Sequence, residues 1–179
     1  MIPDNVITHF KKSFGSEPAF VVRSPGRVNL LGEHVDYNDG WVLPAAIDRA
    51  VYLAVRRDDI RLASVCALDM NEAATFRVTE TTDRKDVKGD PLPGWTLYPA
   101  GVAHVLRDAG LAVSGMDAVY SSDVPRGAGL SSSAAVELAF AVAWRELGRW
   151  RKNGMDLALL CQKAENQYVG VNCGIMDQF

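Results

Sequence analysis

The sequence predicts an α+β domain in which a mixed or largely antiparallel sheet packs against helices. Two observations favour this class. Segments with helical and with strand-like hydrophobic spacing follow one another in mixed order, and the composition is that of a globular protein, with 48% hydrophobic and 23% charged residues. With 179 residues the chain is long enough to bury a substantial core without disulfides or structural metals.

In the first half of the chain, the hydrophobic pattern predicts one helix and several short strands. Val6, Ile7, Phe10 and Phe14 recur at helical spacing, and Gly15 ends this predicted helix, which covers residues 3–14. Apolar and β-branched runs predict strands at residues 19–23, 28–31, 50–55, 62–67 and 74–78, with a turn at residues 24–26 and a polar loop at residues 32–40.

The second half predicts three helices, one strand and a long surface loop. Residues 80–94 are rich in charges, prolines and glycines, which is typical of a loop. The hydrophobic spacing then predicts helices at residues 95–109, 131–147 and 155–169, and a strand at residues 116–120.

Charge and cysteine content narrow the class of protein. There are 19 basic and 22 acidic residues, giving a net charge of −3, which argues against a nucleic-acid partner. The three scattered cysteines, Cys66, Cys161 and Cys173, suit a reducing compartment. Neither a signal peptide nor a membrane span is evident, and Glu137 interrupts the longest apolar run. We therefore expect a cytoplasmic protein without a membrane partner.

A glycine- and serine-rich segment between a predicted strand and helix is suited to bind phosphate. In residues 123–135 (DVPRGAGLSSSAA), the glycines allow a ligand to approach the backbone, and the serines open a helix whose free amides and dipole attract an anion. The segment lacks the lysine of a Walker A loop. The simpler alternative is a serine N-cap on an ordinary helix, preceded by a glycine turn.

Two further groups of polar residues are candidates for a site. Arg27, Glu33, His34 and Asp36 lie within ten residues, and their acceptors and donors suit the hydroxyls of a sugar. A solvated loop or a metal site would use the same residue types. Near the end of the chain, Glu165 lies on or beside the apolar stripe of a predicted helix, where magnesium would offset its burial. Helical periodicity alone favours an exposed glutamate there, and the acid Asp177 in its turn means little by itself.

Three segments together resemble the galactokinases, members of the GHMP superfamily of small-molecule kinases. They are residues 24–37 (SPGRVNLLGEHVDY), 124–135 (VPRGAGLSSSAA) and 161–179 (CQKAENQYVGVNCGIMDQF). The second segment is typical of the whole superfamily, whereas the first is characteristic of galactokinases. The resemblance implies the fold of the GHMP-kinase N-terminal domain, which is like that of the second domain of ribosomal protein S5.

The resemblance also implies a reaction, the phosphorylation of galactose by ATP at the C1 hydroxyl, and a set of roles. Asp177 would be the catalytic base and Arg27 would stabilise the transition state. Substrate would contact Asp177 and the loop residues Glu33, His34, Val35 and Asp36, although threonine is common in the family where Val35 stands. The phosphates of ATP would bind Gly127, Ala128, Gly129, Leu130, Ser131, Ser132 and Ser133, with Trp95 against the adenine and Mg²⁺ on Ser133 and Glu165.

Galactokinases are considerably longer chains with a second domain. The resemblance therefore implies that residues 1–179 form the N-terminal domain, that a face toward the C-terminal domain exposes apolar side chains, and that these residues alone have little or no activity. Two other functions would share these motifs. One is a kinase for N-acetylgalactosamine or another sugar, and the other is a non-catalytic sensor that binds galactose and ATP.

Overall fold

The fold is that of a computed structural model, which describes residues 2–32 and 40–179. The described strands form one five-stranded sheet in the order β1-β2-β5-β3-β4, in which only the β3–β5 pair is parallel. The strands are β1 (Phe20–Asn29), β2 (Pro44–Asp58), β3 (Leu62–Ala67), β4 (Glu72–Arg77) and β5 (Gly115–Ser122), and the helices are α1 (Ile2–Phe14), α2 (Leu97–Asp108), α3 (Ser132–Gly148) and α4 (Gly154–Lys163). The α+β class with a mixed sheet is confirmed.

Helices cover both faces of the sheet. Leu53 and Val55 of β2 face the main core, which α2, α3 and α4 complete, whereas the intervening Ala54 packs on the other face against Val6 and Phe10 of α1. This division follows from the alternation of side chains along a strand. The loop between β5 and α3 leads to a helix that packs on this main core.

The prediction of two separate strands at residues 19–23 and 28–31 is wrong. β1 runs without interruption through Pro25 and Gly26, and its register against β2 shifts, so that Pro25 pairs with Ala50 but Arg27 with Ala46. Proline is tolerated here because β1 is an edge strand and the shift is an irregularity of the ladder. The shift falls directly before Arg27, one of the candidate site residues.

The last predicted helix also differs from the structure. The α-helical pattern of α4 ends at Lys163, and the segment Ala164–Val169 continues as a wider π-helical turn. Gly170 ends the turn at φ +92° and donates its backbone N–H to the Glu165 carbonyl at 2.9 Å. A π turn rotates its side chains away from the α-helical positions, and such turns are frequent at functional sites.

The length and hydropathy of a helix decide whether it could span a membrane. Among the described residues, no helix is long and apolar enough to cross a bilayer. The longest, α3, has 17 residues.

Candidate active site

The loop between β5 and α3 has the backbone that an anion site requires. Gly127 and Gly129 have φ values of +70° and +69°, and both are exposed. A Cβ atom added at either position would meet nothing within 4 Å. Glycine is therefore needed there for the left-handed conformation, and the space in front of the backbone is open.

The serines that follow are not used as an ordinary N-cap. Ser131 precedes α3 with φ +55° and makes no capping hydrogen bond, and its buried Oγ atom has no partner among the described residues. This overturns the simple capping alternative at Ser131. Ser132 and Ser133 begin α3 and line the cavity beside it, so that hydroxyl groups and free helix amides share one surface.

Strand β1 is joined to this loop by backbone contact. The Arg27 backbone N–H donates to the Leu130 carbonyl at 3.2 Å, and the Arg27 Nη1 atom donates to the Gly129 carbonyl at 2.8 Å. A Cβ atom on Gly26 would lie 2.8 Å from the Leu130 oxygen, too close for any side chain. The absence of a side chain at Gly26 therefore allows the two segments to meet.

Arg27 also reaches the other end of the chain. Its Nη2 atom forms an ion pair with Asp177 Oδ1, and the two side chains are 16% and 26% exposed. One guanidinium thus contacts both the predicted phosphate loop and the predicted base, which lie on segments far apart in sequence. Of the other predicted site residues, Glu33, His34, Val35 and Asp36 lie outside the described residues.

Glu165 is buried, so the alternative of an exposed helix glutamate is wrong. Its side chain is 3% exposed. Its Oε2 atom accepts a hydrogen bond from Gln178 Nε2 at 2.6 Å and a longer one from Cys173 Sγ at 3.4 Å. Glu165 lies four residues after the buried Cys161, so it continues the apolar stripe of α4 into the π turn.

A second buried acid, Glu137, lies near Glu165 and was not singled out from the sequence. It is fully buried, and neither carboxyl oxygen has a hydrogen-bond partner among the described residues. Burial, and after it the charge of Glu165, raise its pKa to about 9, with the side chain of Gln178 offsetting part of the rise. Glu137 stands four residues after Ser133 on α3 and so lies one turn below it on the same face.

A cavity of about 540 Å³ opens beside the phosphate loop. Trp95 lines it, donates its Nε1–H to Glu72 Oε2 at 2.6 Å, and packs against Tyr120 with ring centroids 6.0 Å apart. Sequence analysis missed three other lining residues, Tyr98, Tyr120 and Arg126. Burial, and then the charges of Glu165 and Glu137, raise the pKa of Tyr98.

Another cavity is larger, but it lies away from the predicted site residues. A larger cavity, of about 660 Å³, lies near the β2–β3 turn and the end of α2, and no predicted site residue lines it. Among the described residues, no three His, Cys, Asp or Glu side chains gather in a group that holds a metal ion.

Two family signatures match the chain. A galactokinase galactose-binding signature covers residues 8–57, and the N-terminal domain of GHMP kinases covers residues 98–179. A Roseiflexus galactokinase is 48% identical over 171 residues, which are 94% of this chain and 41% of that protein. A Streptomyces coelicolor galactokinase is 44% identical over 170 residues, with shares of 94% and 42%.

Solved structures show the same relationship. The structure of Lactococcus lactis galactokinase complexed with galactose superposes with a TM-score of 0.88 at 32% identity, covering 100% of this chain and 46% of that one. Methanococcus jannaschii mevalonate kinase shares the fold, with a TM-score of 0.71 at 17% identity and shares of 89% and 49%. The chain thus spans about two fifths of the length of the relatives that it matches.

Proposed function

We propose that this chain is part of an enzyme that transfers the γ-phosphate of ATP to the C1 hydroxyl of galactose. It contributes the phosphate loop, the base and the sugar-binding segment. The chain belongs to the galactokinase family and corresponds to the N-terminal portion of its members. The observation that carries the proposal is the double contact of Arg27. One guanidinium binds the Gly129 carbonyl of the phosphate loop and the carboxylate of Asp177.

Phosphoryl transfer depends on placing the reactants and offsetting charge more than on covalent chemistry by the protein. The acceptor hydroxyl must lie within about 3–3.5 Å of the phosphorus. The shared contacts of Arg27 with the loop and with Asp177 support this placement. In the proposed reaction Asp177 accepts the proton of the C1 hydroxyl, and Arg27 offsets negative charge on the phosphoryl group as it is transferred.

The nucleotide would bind along the loop and the neighbouring cavity. The phosphates would lie against residues 127–133, where free amides, open space above the glycines and the start of α3 favour an anion. The adenine would lie against Trp95 in the cavity, which Tyr98 and Tyr120 also line. Arg126 adds a positive charge at the same cavity.

The residues present fit a magnesium ion at this loop. Mg²⁺ typically takes one or two protein oxygens and completes its octahedron with phosphate oxygens and water. Glu165 offers a buried carboxylate, and Ser133 offers a hydroxyl at the start of α3. Bound there with the nucleotide, the ion would neutralise charge on the phosphates.

Galactose would bind beside Arg27 and Asp177, with its C1 hydroxyl toward the nucleotide phosphates. Glu33, His34 and Asp36 would bind its hydroxyls, as the resemblance implies, and the galactose-binding signature spans these positions. The relative whose structure contains galactose superposes over the whole of this chain.

An apolar surface at the end of the β1–β2 ribbon fits the expected contact with a further domain. Leu30 and Leu43 pair through the backbone at 3.0 Å, and Leu30, Leu31, Trp41 and Leu43 are between 55% and 95% exposed. Patches of this kind usually mark an interaction surface. We propose that the rest of the length found in the relatives covers it.

Steady-state kinetics on the protein with all the residues that its gene encodes tests the proposed function. Galactose-dependent ADP release should be lost in Asp177→Ala, whereas the dissociation constant for ATP should change little, since a base acts only in the transfer step. Asp83→Ala, a change of an exposed acid in the 80–94 loop, is the matched control.

Three results would contradict the proposal in different ways. Normal turnover in Asp177→Ala would exclude Asp177 as the base. Faster turnover with N-acetylgalactosamine or another sugar than with galactose would change the substrate. Binding of galactose and ATP by the unmodified protein without any ADP release would make it a sensor.

A further inference from the structure

We propose that Gln178 is a positioning residue that holds the carboxylate of Glu165 in place and ties it to the segment that carries Asp177. This inference rests on the proposed function, in which Glu165 binds the cation and Asp177 is the base. Gln178 itself is not assigned any contact with substrate.

The contact between the two side chains is short and lies in the interior. Gln178 and Glu165 are each 3% exposed, and the amide Nε2 atom donates to Oε2 at 2.6 Å. Hydrogen bonds to charged acceptors are stronger than those between neutral groups. In a site closed to water, loss of this donor would leave a carboxylate oxygen without a comparable partner.

The other neighbour of the same oxygen is a weaker donor. Cys173 Sγ lies 3.4 Å from Glu165 Oε2 and 3.6 Å from Gln178 Nε2. A thiol is a poor substitute for an amide donor, so the orientation of Glu165 depends mainly on Gln178.

Consecutive residues join the two functional acids. Asp177 forms the ion pair with Arg27, and Gln178 holds Glu165, so the two side chains bind different partners from one short turn. The backbone N–H groups of Gln178 and Phe179 both donate to the Ile175 carbonyl at 3.1 Å, which makes this turn compact. A shift of Gln178 would therefore be felt at both acids.

The occupied oxygen also limits how Glu165 can bind a cation. Gln178 engages Oε2, so its amide fixes the direction in which the Glu165 carboxylate can face an ion. Glu137 lies nearby as a second buried carboxyl, and loss of the amide would remove the neutral group that faces both acids. Residues that hold a metal ligand in this way typically change metal affinity or activity by about 10–100-fold when they are replaced.

The test compares Gln178→Met, which keeps the length of the side chain but has no amide, with Glu165→Gln and with the exposed control Gln167→Met. Mn²⁺ binding in the presence of a non-hydrolysable ATP analogue is measured by electron paramagnetic resonance, and kcat and the KM for galactose by ADP release. We expect Gln178→Met to weaken Mn²⁺ binding and to lower kcat by about 10-fold or more, with the KM for galactose within about twofold of the control.

The results distinguish an error in the role of Gln178 from an error in the proposed function. If Glu165→Gln weakens Mn²⁺ binding but Gln178→Met binds as the control does, only the role of Gln178 is wrong. If neither change affects Mn²⁺ binding, Glu165 is not a ligand, and both the cation assignment and the role of Gln178 are refuted.

A measurement on the unmodified protein covers the case in which Gln178→Met does not fold. The side-chain NH₂ signals of Gln178 are followed by NMR while Mg²⁺ is added to the complex with the ATP analogue. The proposal requires these signals to shift on addition of Mg²⁺, whereas those of Gln167 stay in place. Unchanged Gln178 signals would overturn it.

Discussion

Replacing Glu137 with glutamine should stabilise the protein, and the gain should grow as the pH rises from 6 to 8. Glu137 is fully buried, and burial raises the pKa of its carboxyl from 4.5 in the unfolded chain to about 9 in the folded protein. Between these values the unfolded state is ionised and the folded state holds the proton. Folding therefore takes up a proton, and the stability that this group provides at low pH is lost as the pH rises.

The pKa values set the size of the effect. A difference of one proton between the two states changes the free energy of unfolding by about 1.4 kcal/mol per pH unit. From pH 6 to pH 8, Glu137 should therefore cost the unmodified protein up to about 2.7 kcal/mol. Glutamine has nearly the same shape and no charge to lose, and its amide can donate to Gln178 Oε1, which has no partner among the described residues.

Urea unfolding at pH 6, 7 and 8, without nucleotide or divalent cation, measures this difference. The free energy of unfolding of Glu137→Gln minus that of the unmodified protein should increase with pH. Glu146→Gln is the control, because Glu146 lies on the same helix with a side chain that is 53% exposed. A difference for Glu137→Gln that stays constant over this range would refute the reasoning, since the folded protein would then hold an ionised Glu137.

Three other predictions concern the site. Gly129→Ala should weaken nucleotide binding in calorimetry, because alanine at φ +69° costs about 1–2 kcal/mol and favours a different loop conformation; unchanged affinity would mean that the loop tolerates the side chain. Asp36→Ala should reduce galactose affinity by about 1–3 kcal/mol, since a sugar hydroxyl loses its acceptor, and calorimetry giving the same affinity would remove Asp36 from the sugar site. A polypeptide of residues 1–179 should bind ATP weakly and release no more than traces of ADP with galactose, because it covers 41% of a relative's length. Robust turnover that is abolished by Asp177→Ala would contradict this expectation.

The sequence predicts best what depends on local pattern. The glycine- and serine-rich segment predicts a loop with positive φ between a strand and a helix, and the structure gives Gly127 and Gly129 those φ values. The pairing of Arg27 with Asp177 has no local signature, since 150 residues separate them. Only the resemblance to a family suggested that the two act together.

The features that were predicted wrongly or missed depend on packing between segments distant in sequence. Glu165 was expected to be exposed because an acid is rarely buried without a partner, and its partner Gln178 comes from a turn thirteen residues later. The cavity tyrosines, Tyr98 and Tyr120, come from a helix and a strand that only the fold brings together. Pro25 suggested the end of a strand, but an edge position and a shifted register let β1 continue.

The two contacts of Arg27 have a thermodynamic consequence for how the substrates bind. A nucleotide that moves the Gly129 carbonyl changes the hydrogen bond from Arg27, and with it the position of the Asp177 carboxylate beside the sugar site. Linkage is reciprocal, so galactose must change the affinity for ATP by the same factor by which ATP changes the affinity for galactose. In the proposed function, the Arg27 side chain would thereby couple the binding of ATP to that of galactose.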